Sequence, residues 1–249
     1  VSWRIHYFAS VPSTNARAKE LADAGEPEGT VVLADEQTEG RGRSGRTWYS
    51  PPRLGIWASI VLRPSVEAKR LAGLGIVAAV GIADALGRDL GFDPGVKWPN
   101  DILAGGRKLG GVLVEAGQVA GESIESAIVG IGINVNIGPD AFPEELRATA
   151  TSLSIVAGRL IDRLRVLGIA LAAFEGTYER YVKEGTWAAR ERWRELSTTL
   201  GRVIEIEDQG QAVSGQVIDL SPEGALVLKG ADGAPVEVWH GDVVAVQPG

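Results

Sequence analysis

Between Thr38 and Pro52 the chain reads TEGRGRSGRTWYSPP, which sets Arg41, Arg43 and Arg46 among Gly40, Gly42 and Gly45. Glycine loses the most backbone freedom on folding, so such a loop is costly to order. Its three guanidinium groups repel one another unless an anion lies among them. Flexible backbone with fork-shaped N–H donors suits an anion carrying several oxygens, typically a phosphate. The plainer alternative is solvated surface charge, which the alternation of arginine with glycine weakens. GRGRSG fits the pattern G-x-G-x-x-G, but a dinucleotide-binding fold needs a helix straight after it, and TWYSPP follows. No Walker A sequence occurs.

Four further groups of residues could act with this loop. KWPND holds Lys97, Asn100 and Asp101 at a strand end; it could hold a nucleotide phosphate and its Mg²⁺, or be an ordinary Asn-Asp turn. GRKLGGVLVE sets Lys108 ahead of Gly110 and Gly111, which permit close approach to the backbone or form a bulge. PSTN brings Ser13, Thr14 and Asn15 to a helix start, where hydroxyls and free N–H groups serve a ligand or simply cap the helix. GIGINVN places Gly132 and Asn134 on a core strand, and a buried amide there needs partners, of which a bound heterocycle is one candidate.

Absences narrow the chemistry. The chain has no cysteine, and its two histidines, His6 and His240, stand near opposite ends. A thiolate nucleophile is excluded, and a His/Cys metal site is not expected. No G-x-S-x-G elbow is present. Net charge −7 argues against a nucleic-acid partner while permitting a local cationic pocket. No signal-peptide pattern or long uninterrupted apolar stretch is found, so neither secretion nor a membrane is expected, and the cytoplasm is the simpler compartment. What remains is catalysis by fixed positive charge.

The elements that must position these groups are readable in outline. Strands are expected at Arg4–Ala9, Thr30–Glu36, Ile56–Pro64, Val96–Asp101, on both sides of the Gly105–Arg107 turn, and in SAIVGIGINVNI. Helices are expected from Ser13 or Thr14 to Gly25, over Ala68–Leu90, and over Arg159–Glu184, where Leu160, Leu164, Leu167 and Leu171 recur at helical spacing. Hairpins and helices mix without a regular βαβ rhythm, which indicates an α+β fold with a mixed, largely antiparallel sheet. After about Trp193, the runs RVIEIED, QAVSGQVIDL, GALVLKG and VEVWHGDVVAV read as short strands of a small SH3-like β-barrel.

In this order the motifs STN (13–15), EQTEGRGRSGRTW (36–48), KWPNDI (97–102), KLGGVLVE (108–115) and GIGINVN (130–136) resemble the biotin protein ligase family, biotin–[acetyl-CoA-carboxylase] ligase. The resemblance spans about residues 1–190, with a C-terminal part at 198–249 similar to that family's small terminal domain. It implies the class II synthetase-like catalytic fold shared by biotin and lipoate ligases. The first catalytic-type strand comes within ten residues, which implies the monofunctional type, without a DNA-binding helix-turn-helix.

The implied activity is ATP- and Mg²⁺-dependent. Biotin becomes biotinyl-5′-AMP and is then passed to a lysine of a biotin carboxyl carrier protein; a homodimer is an accompanying expectation. By the same resemblance, Ser13, Thr14, Asn15 and Gln37 match the biotin ureido end. Gly40, Arg41, Gly42 and Arg43 match the loop that closes over biotin and phosphate. Lys108 matches the position near the biotin carboxylate, and Gly111 and Gly132 the positions along the biotin tail. Arg43, Arg46, Trp48, Lys97, Asn100, Asp101 and Asn134 match the ATP side. Of these, Arg43, Lys97, Asp101 and Lys108 match catalytic positions, and no dedicated metal site is implied. The loop is expected to be loose when empty. Glu39 departs from the pattern by setting a negative charge directly before GRGR. Two other readings stand beside this one, a non-catalytic biotin or adenylate sensor and a lipoate ligase on the same fold.

Overall fold

The computed structural model describes residues 2–64, 71–120, 123–208, 211–230 and 232–246. Its first part is built on a seven-stranded sheet. The strands are β1 (Arg4–Phe8), β2 (Thr30–Ala34), β3 (Gly55–Leu62), β4 (Pro94–Lys97), β5 (Asp101–Ala104), β6 (Arg107–Ala116) and, after a small pair β7 (Val119–Ala120) and β8 (Ser123–Ile124), β9 (Ala127–Asn134). Their order is β1-β2-β3-β9-β6-β5-β4. Only β1 and β2 run parallel, joined by helix α1 (Thr14–Asp23); the other neighbours are antiparallel. The fold is thus α+β with a mixed, largely antiparallel sheet.

Helices cover both faces. Ala18 and Ala22 of α1 pack on Val32, Val61 and Ile128. The opposite face meets α2 (Leu71–Leu90) and, beyond a short α3 (Leu153–Ala157), the long α4 (Arg163–Glu184). Residues 65–70, where part of the expected second helix falls, lie outside the described residues. Every described helix is too short or too polar to cross a membrane.

Three sequence expectations are corrected. Val96–Asp101 is not one strand: β4 ends at Lys97, Trp98–Asn100 forms a turn with a cis Trp98–Pro99 peptide, and β5 begins at Asp101. Proline has no N–H for the ladder, so the strand stops there and turns back as a hairpin. The last long helix starts at Arg163, not Arg159, because the Asp162 carboxylate accepts the Leu164 N–H at 2.8 Å and caps it. Its buried face runs through Leu167, Ala170, Leu171, Phe174 and Tyr178, leaving Leu160 and Leu164 exposed. VEVWHGDVVAV divides into two strands at a turn where Gly241 has φ +108°.

The C-terminal part is a five-stranded antiparallel sheet of β10 (Val203–Asp208), β11 (Gln211–Leu220), β12 (Leu226–Lys229), β13 (Pro235–Val238) and β14 (Asp242–Val246). The order is β13-β12-β11-β10-β14, and among the described residues no pairing joins β13 to β14 to close a barrel. Ile204, Ile206, Val217 and Leu228 belong to the same continuous apolar core as α2 and α4. Helix α5 (Arg190–Leu196) leads into this sheet, and Arg190 and Arg194 both bind Asp219 on β11. Burial raises the Asp219 carboxyl, but the bonds from Arg190 and the Leu220 N–H outweigh it and hold it below the usual range.

Candidate active site

Residues directly across neighbouring strands share a face of the sheet. The register therefore sets Trp57, Gly132 and Gly111 in one row, and Ser59, Gly130 and Leu113 in the next. The glycines keep this stretch of the sheet low. A Cβ at Gly132 would lie 2.7 Å from Trp48, and one at Gly130 would lie 2.2 Å from Asn15 Oδ1. Above the rows stands a cavity of about 250 Å³.

One end of the cavity is polar and closely bonded. Ser13 caps α1, accepting the Ala16 N–H at 3.4 Å. The Thr14 N–H, an orphan of the helix start, donates to Gln37 Oε1 at 2.8 Å. The Thr14 hydroxyl reaches the same oxygen at 2.9 Å, and Gln37 Nε2 donates to Ser50 Oγ at 2.8 Å. Ser59 Oγ lies 2.7 Å from Thr14 Oγ1 and 2.6 Å from Asn15 Oδ1. Asn15 Nδ2 donates to Glu115 Oε2 at 2.5 Å. Ser13, Thr14, Asn15 and Ser59 are all buried.

The middle is cationic. The Lys108 ammonium sits 2.6 Å from Asp101 Oδ1 and 5.1 Å from the centre of the Trp48 ring. Lys108 is 37% exposed, so an arriving anion could reach it and compete with Asp101. Asn100 and Asn134 line the cavity while their amides brace backbone, donating to Val112 O at 2.6 Å and Thr151 O at 3.0 Å. Trp48 Nε1 is buried with no hydrogen-bond partner among the described residues, a donor available to a bound acceptor.

The glycine-arginine loop folds over the cavity as a small hairpin, with Gly42 N–H bonded to Arg46 O at 2.7 Å and Trp48 N–H to Gly40 O at 2.9 Å. The C-terminal sheet holds it there. Arg46 meets Asp242 Oδ1 at 2.6 Å, Arg43 lies 3.5 Å from the same oxygen, and Arg43 also donates to Gly241 O at 3.1 Å. Asp242 thus supplies negative charge between two of the arginines. At the foot of the loop, Tyr7, Arg53 and Arg163 converge on Asp35 at 2.8, 3.2 and 3.0 Å. Burial raises the Asp35 carboxyl, but these bonds outweigh it and leave it below the usual range.

The residues matched to biotin, ATP or catalysis all line this cavity except Gly40 and Lys97, and Gly45 and Gly110 also lie outside its lining. Gly40 is buried behind the loop, where a Cβ would lie 2.4 Å from Trp48 O. The Lys97 ammonium turns to the C-terminal sheet and donates to Val243 O at 3.1 Å. Sequence reasoning missed Ser59, Ser50, Glu115 and Asp242, and the wall residues Tyr49, Phe142 and Leu146. Glu115 had a signal, as the one carboxylate of β6, set at the end of its apolar run. Ser59, one hydroxyl within IWASIVL, had almost none.

Known proteins agree with this architecture. Residues 7–134 match the biotin/lipoate A/B protein ligase family, and residues 199–245 match the biotin protein ligase C terminal domain. The bifunctional ligase/repressor BirA of Bacillus subtilis is 38% identical over 237 residues, 95% of this chain and 72% of that one. The biotin–[acetyl-CoA-carboxylase] ligase of Paracoccus denitrificans is 36% identical over 94% of this chain and 99% of its own. The biotin protein ligase from Aquifex aeolicus in complex with biotin and ATP superposes with a TM-score of 0.83 at 28% identity, covering 98% of this chain and 99% of that one. On these grounds the chain belongs to the biotin/lipoate A/B protein ligase family.

Proposed function

We propose that the protein is an ATP-dependent biotin protein ligase. The observation that carries this is one cavity holding a polar hydrogen-bonding end, a central lysine and a closing arginine loop, in a chain similar to ligases of that name. A biotin carboxylate oxygen attacks the α-phosphorus of ATP, giving biotinyl-5′-AMP and pyrophosphate. The amine of a carrier-protein lysine then attacks the acyl carbon, losing a proton and releasing AMP. Both partners of the first step are anions, so positioning and charge neutralisation dominate, and no enzyme nucleophile is needed.

In this reading Ser13, Thr14, Asn15 and Gln37 receive the ureido ring, and Gly111 and Gly132 give room for the tail. Lys108 receives the carboxylate by exchanging Asp101 for it. Arg41, Gly42, Arg43 and Arg46 close over phosphate, while Trp48, Asn100, Asp101 and Asn134 face the nucleotide. Lys97 serves from behind, bracing the C-terminal sheet. Among the described residues no three His, Cys, Asp or Glu side chains group as a metal site. Mg²⁺ is assigned to the ATP phosphates, whose charge it would offset. The division proposed is a ligase-type unit over 1–190 and a C-terminal unit over 198–249. The partner proposed is a biotin carboxyl carrier protein in the cytoplasm. The negative net charge favours a protein over a nucleic-acid partner, and size exclusion tests the homodimer expectation.

The test is incubation with ATP, Mg²⁺, biotin and a carrier domain. Pyrophosphate release and a biotin-sized mass increase on one carrier lysine are expected. Binding without pyrophosphate release would indicate a sensor. Lipoate outcompeting biotin would indicate the other branch of the family.

A further inference from the structure

Four oxygens line up at the polar end of the cavity. Gln37 Oε1 is 2.9 Å from Thr14 Oγ1, which is 2.7 Å from Ser59 Oγ, which is 2.6 Å from Asn15 Oδ1. Each gap is of hydrogen-bond length and needs one proton. The two ends are carbonyl oxygens and carry none; the two hydroxyls carry one each. Two protons cannot fill three gaps, so one gap always sets lone pairs against lone pairs.

Two neighbours enforce this shortage. Gln37 must keep its oxygen toward Thr14 because the Thr14 N–H donates to it. Asn15 must keep its NH₂ toward Glu115, because a carboxylate only accepts. Without Glu115 the Asn15 amide could rotate by half a turn. Its NH₂ would then donate to Ser59, Ser59 to Thr14 and Thr14 to Gln37, and no gap would lack a proton.

We infer that Glu115 is a specificity-determining positioning residue: by holding the Asn15 amide, it keeps this end of the cavity one proton short and so selects ligands that present N–H donors. Asn15 lies directly over Gly130, and Glu115 is on the neighbouring strand, two residues on from Leu113 and so on the same face as the Gly130–Leu113 row. Glu115 reaches the ligand only through Asn15. The inference rests on the biotin reading, since a ureido ring brings two N–H groups, and it names the residue that makes the subsite favour them.

The test uses the full chain, with calorimetric titration of biotin and of an analogue whose ring carries oxygen in place of one N–H. Wild type should prefer biotin by at least about tenfold, since a site built to bond an N–H rejects a ligand lacking it. Glu115→Val, which suits a strand and removes the acceptor, should weaken biotin by about tenfold and bring the preference down to about twofold, with ATP affinity unchanged. Glu115→Gln can turn either its oxygen or its NH₂ to Asn15, so it frees the amide to rotate and should lower the preference as Val does. Glu115→Lys, a donor that turns the amide round, should behave as Val does and serves if Val does not fold. A general loss of structure would weaken both ligands alike and leave their ratio in place. An unchanged ratio in the Val, Gln or Lys variant overturns the inference while wild-type binding upholds the biotin reading. A wild-type chain that binds no biotin overturns both.

Discussion

A single missing side chain shapes the polar end of the cavity. Gly130 lies under the Asn15 amide with no room above it: an added Cβ would come within 2.2 Å of Oδ1. Gly130→Ala must push Asn15 off Ser59 and Glu115. Overpacking of this kind costs about 1–3 kcal/mol, roughly 2–10 °C in Tm for a chain of this size. The expected outcome is that modest loss of Tm with at least a tenfold weaker biotin affinity, measured by calorimetry; unchanged affinity would show that Asn15 does not serve the ligand. The sequence disclosed the residues of unusual type in unusual company, such as the arginines among glycines and the lysine before paired glycines. It hid those whose partners lie far along the chain. Glu115 meets Asn15 across 100 residues, and Asp242 meets Arg46 across 196. Ser59 is hidden for a different reason: nothing in one apolar strand says which face its hydroxyl will share.

The loop is the element on which charge and flexibility meet. Arg46 is 59% exposed and Asp242 37%, and a pair this open to solvent is worth about 0–1 kcal/mol. That is small against global stability but comparable with the free energy of opening a short loop. Asp242→Asn should therefore leave Tm within about 2 °C while speeding amide hydrogen exchange at residues 41–47; equal protection in both proteins would show that the hairpin holds itself. Asp35 acts at the foot of the same element. Its carboxyl lies below the ordinary value of 3.8 because the bonds from Tyr7, Arg163 and Arg53 outweigh its desolvation. A depressed carboxyl stabilises the folded state above the unfolded value and loses that contribution as pH falls through the folded one. Melting scans should accordingly show a decline in Tm below about pH 4 that Asp35→Asn makes shallower; parallel curves for the two proteins would remove Asp35 from the acid response. The strands bearing these groups were legible because apolar runs with glycine punctuation leave few choices. Element ends were less so. Leu160 continues a helical spacing that Asp162 interrupts, and Pro99 turns an expected strand into a hairpin.

At the scale of the whole molecule, the C-terminal sheet is tied to the rest both by its core and by its contacts to charge. Trp98 is buried at 2% exposure and its Nε1 donates to Gly224 O at 3.3 Å. Thr186 donates to carbonyl oxygens at Ser221 and Pro222. Three consecutive residues, Gly241, Asp242 and Val243, hold Arg43, Arg46 and Lys97. None of the polar groups at the Thr14–Gln37 end has a side-chain bond to the C-terminal sheet among those described. Removing that sheet should therefore have two separable effects. Uncovering Trp98 and its neighbours should lower stability, since each large apolar side chain returned to water costs about 1.5–3 kcal/mol. Releasing the arginines should weaken the steps that handle phosphate, while the polar end of the cavity stays intact. A chain ending at Ser197 is expected to melt at a lower temperature, and its folded fraction to bind biotin within about threefold of wild type while forming adenylate at least tenfold more slowly. Circular dichroism gives the folded fraction, calorimetry the biotin affinity, and pyrophosphate release the first half-reaction. Normal adenylate formation per folded molecule would reduce the C-terminal sheet to a cover for Trp98; equal losses in biotin binding and adenylate formation would show that the two ends of the cavity depend on it alike.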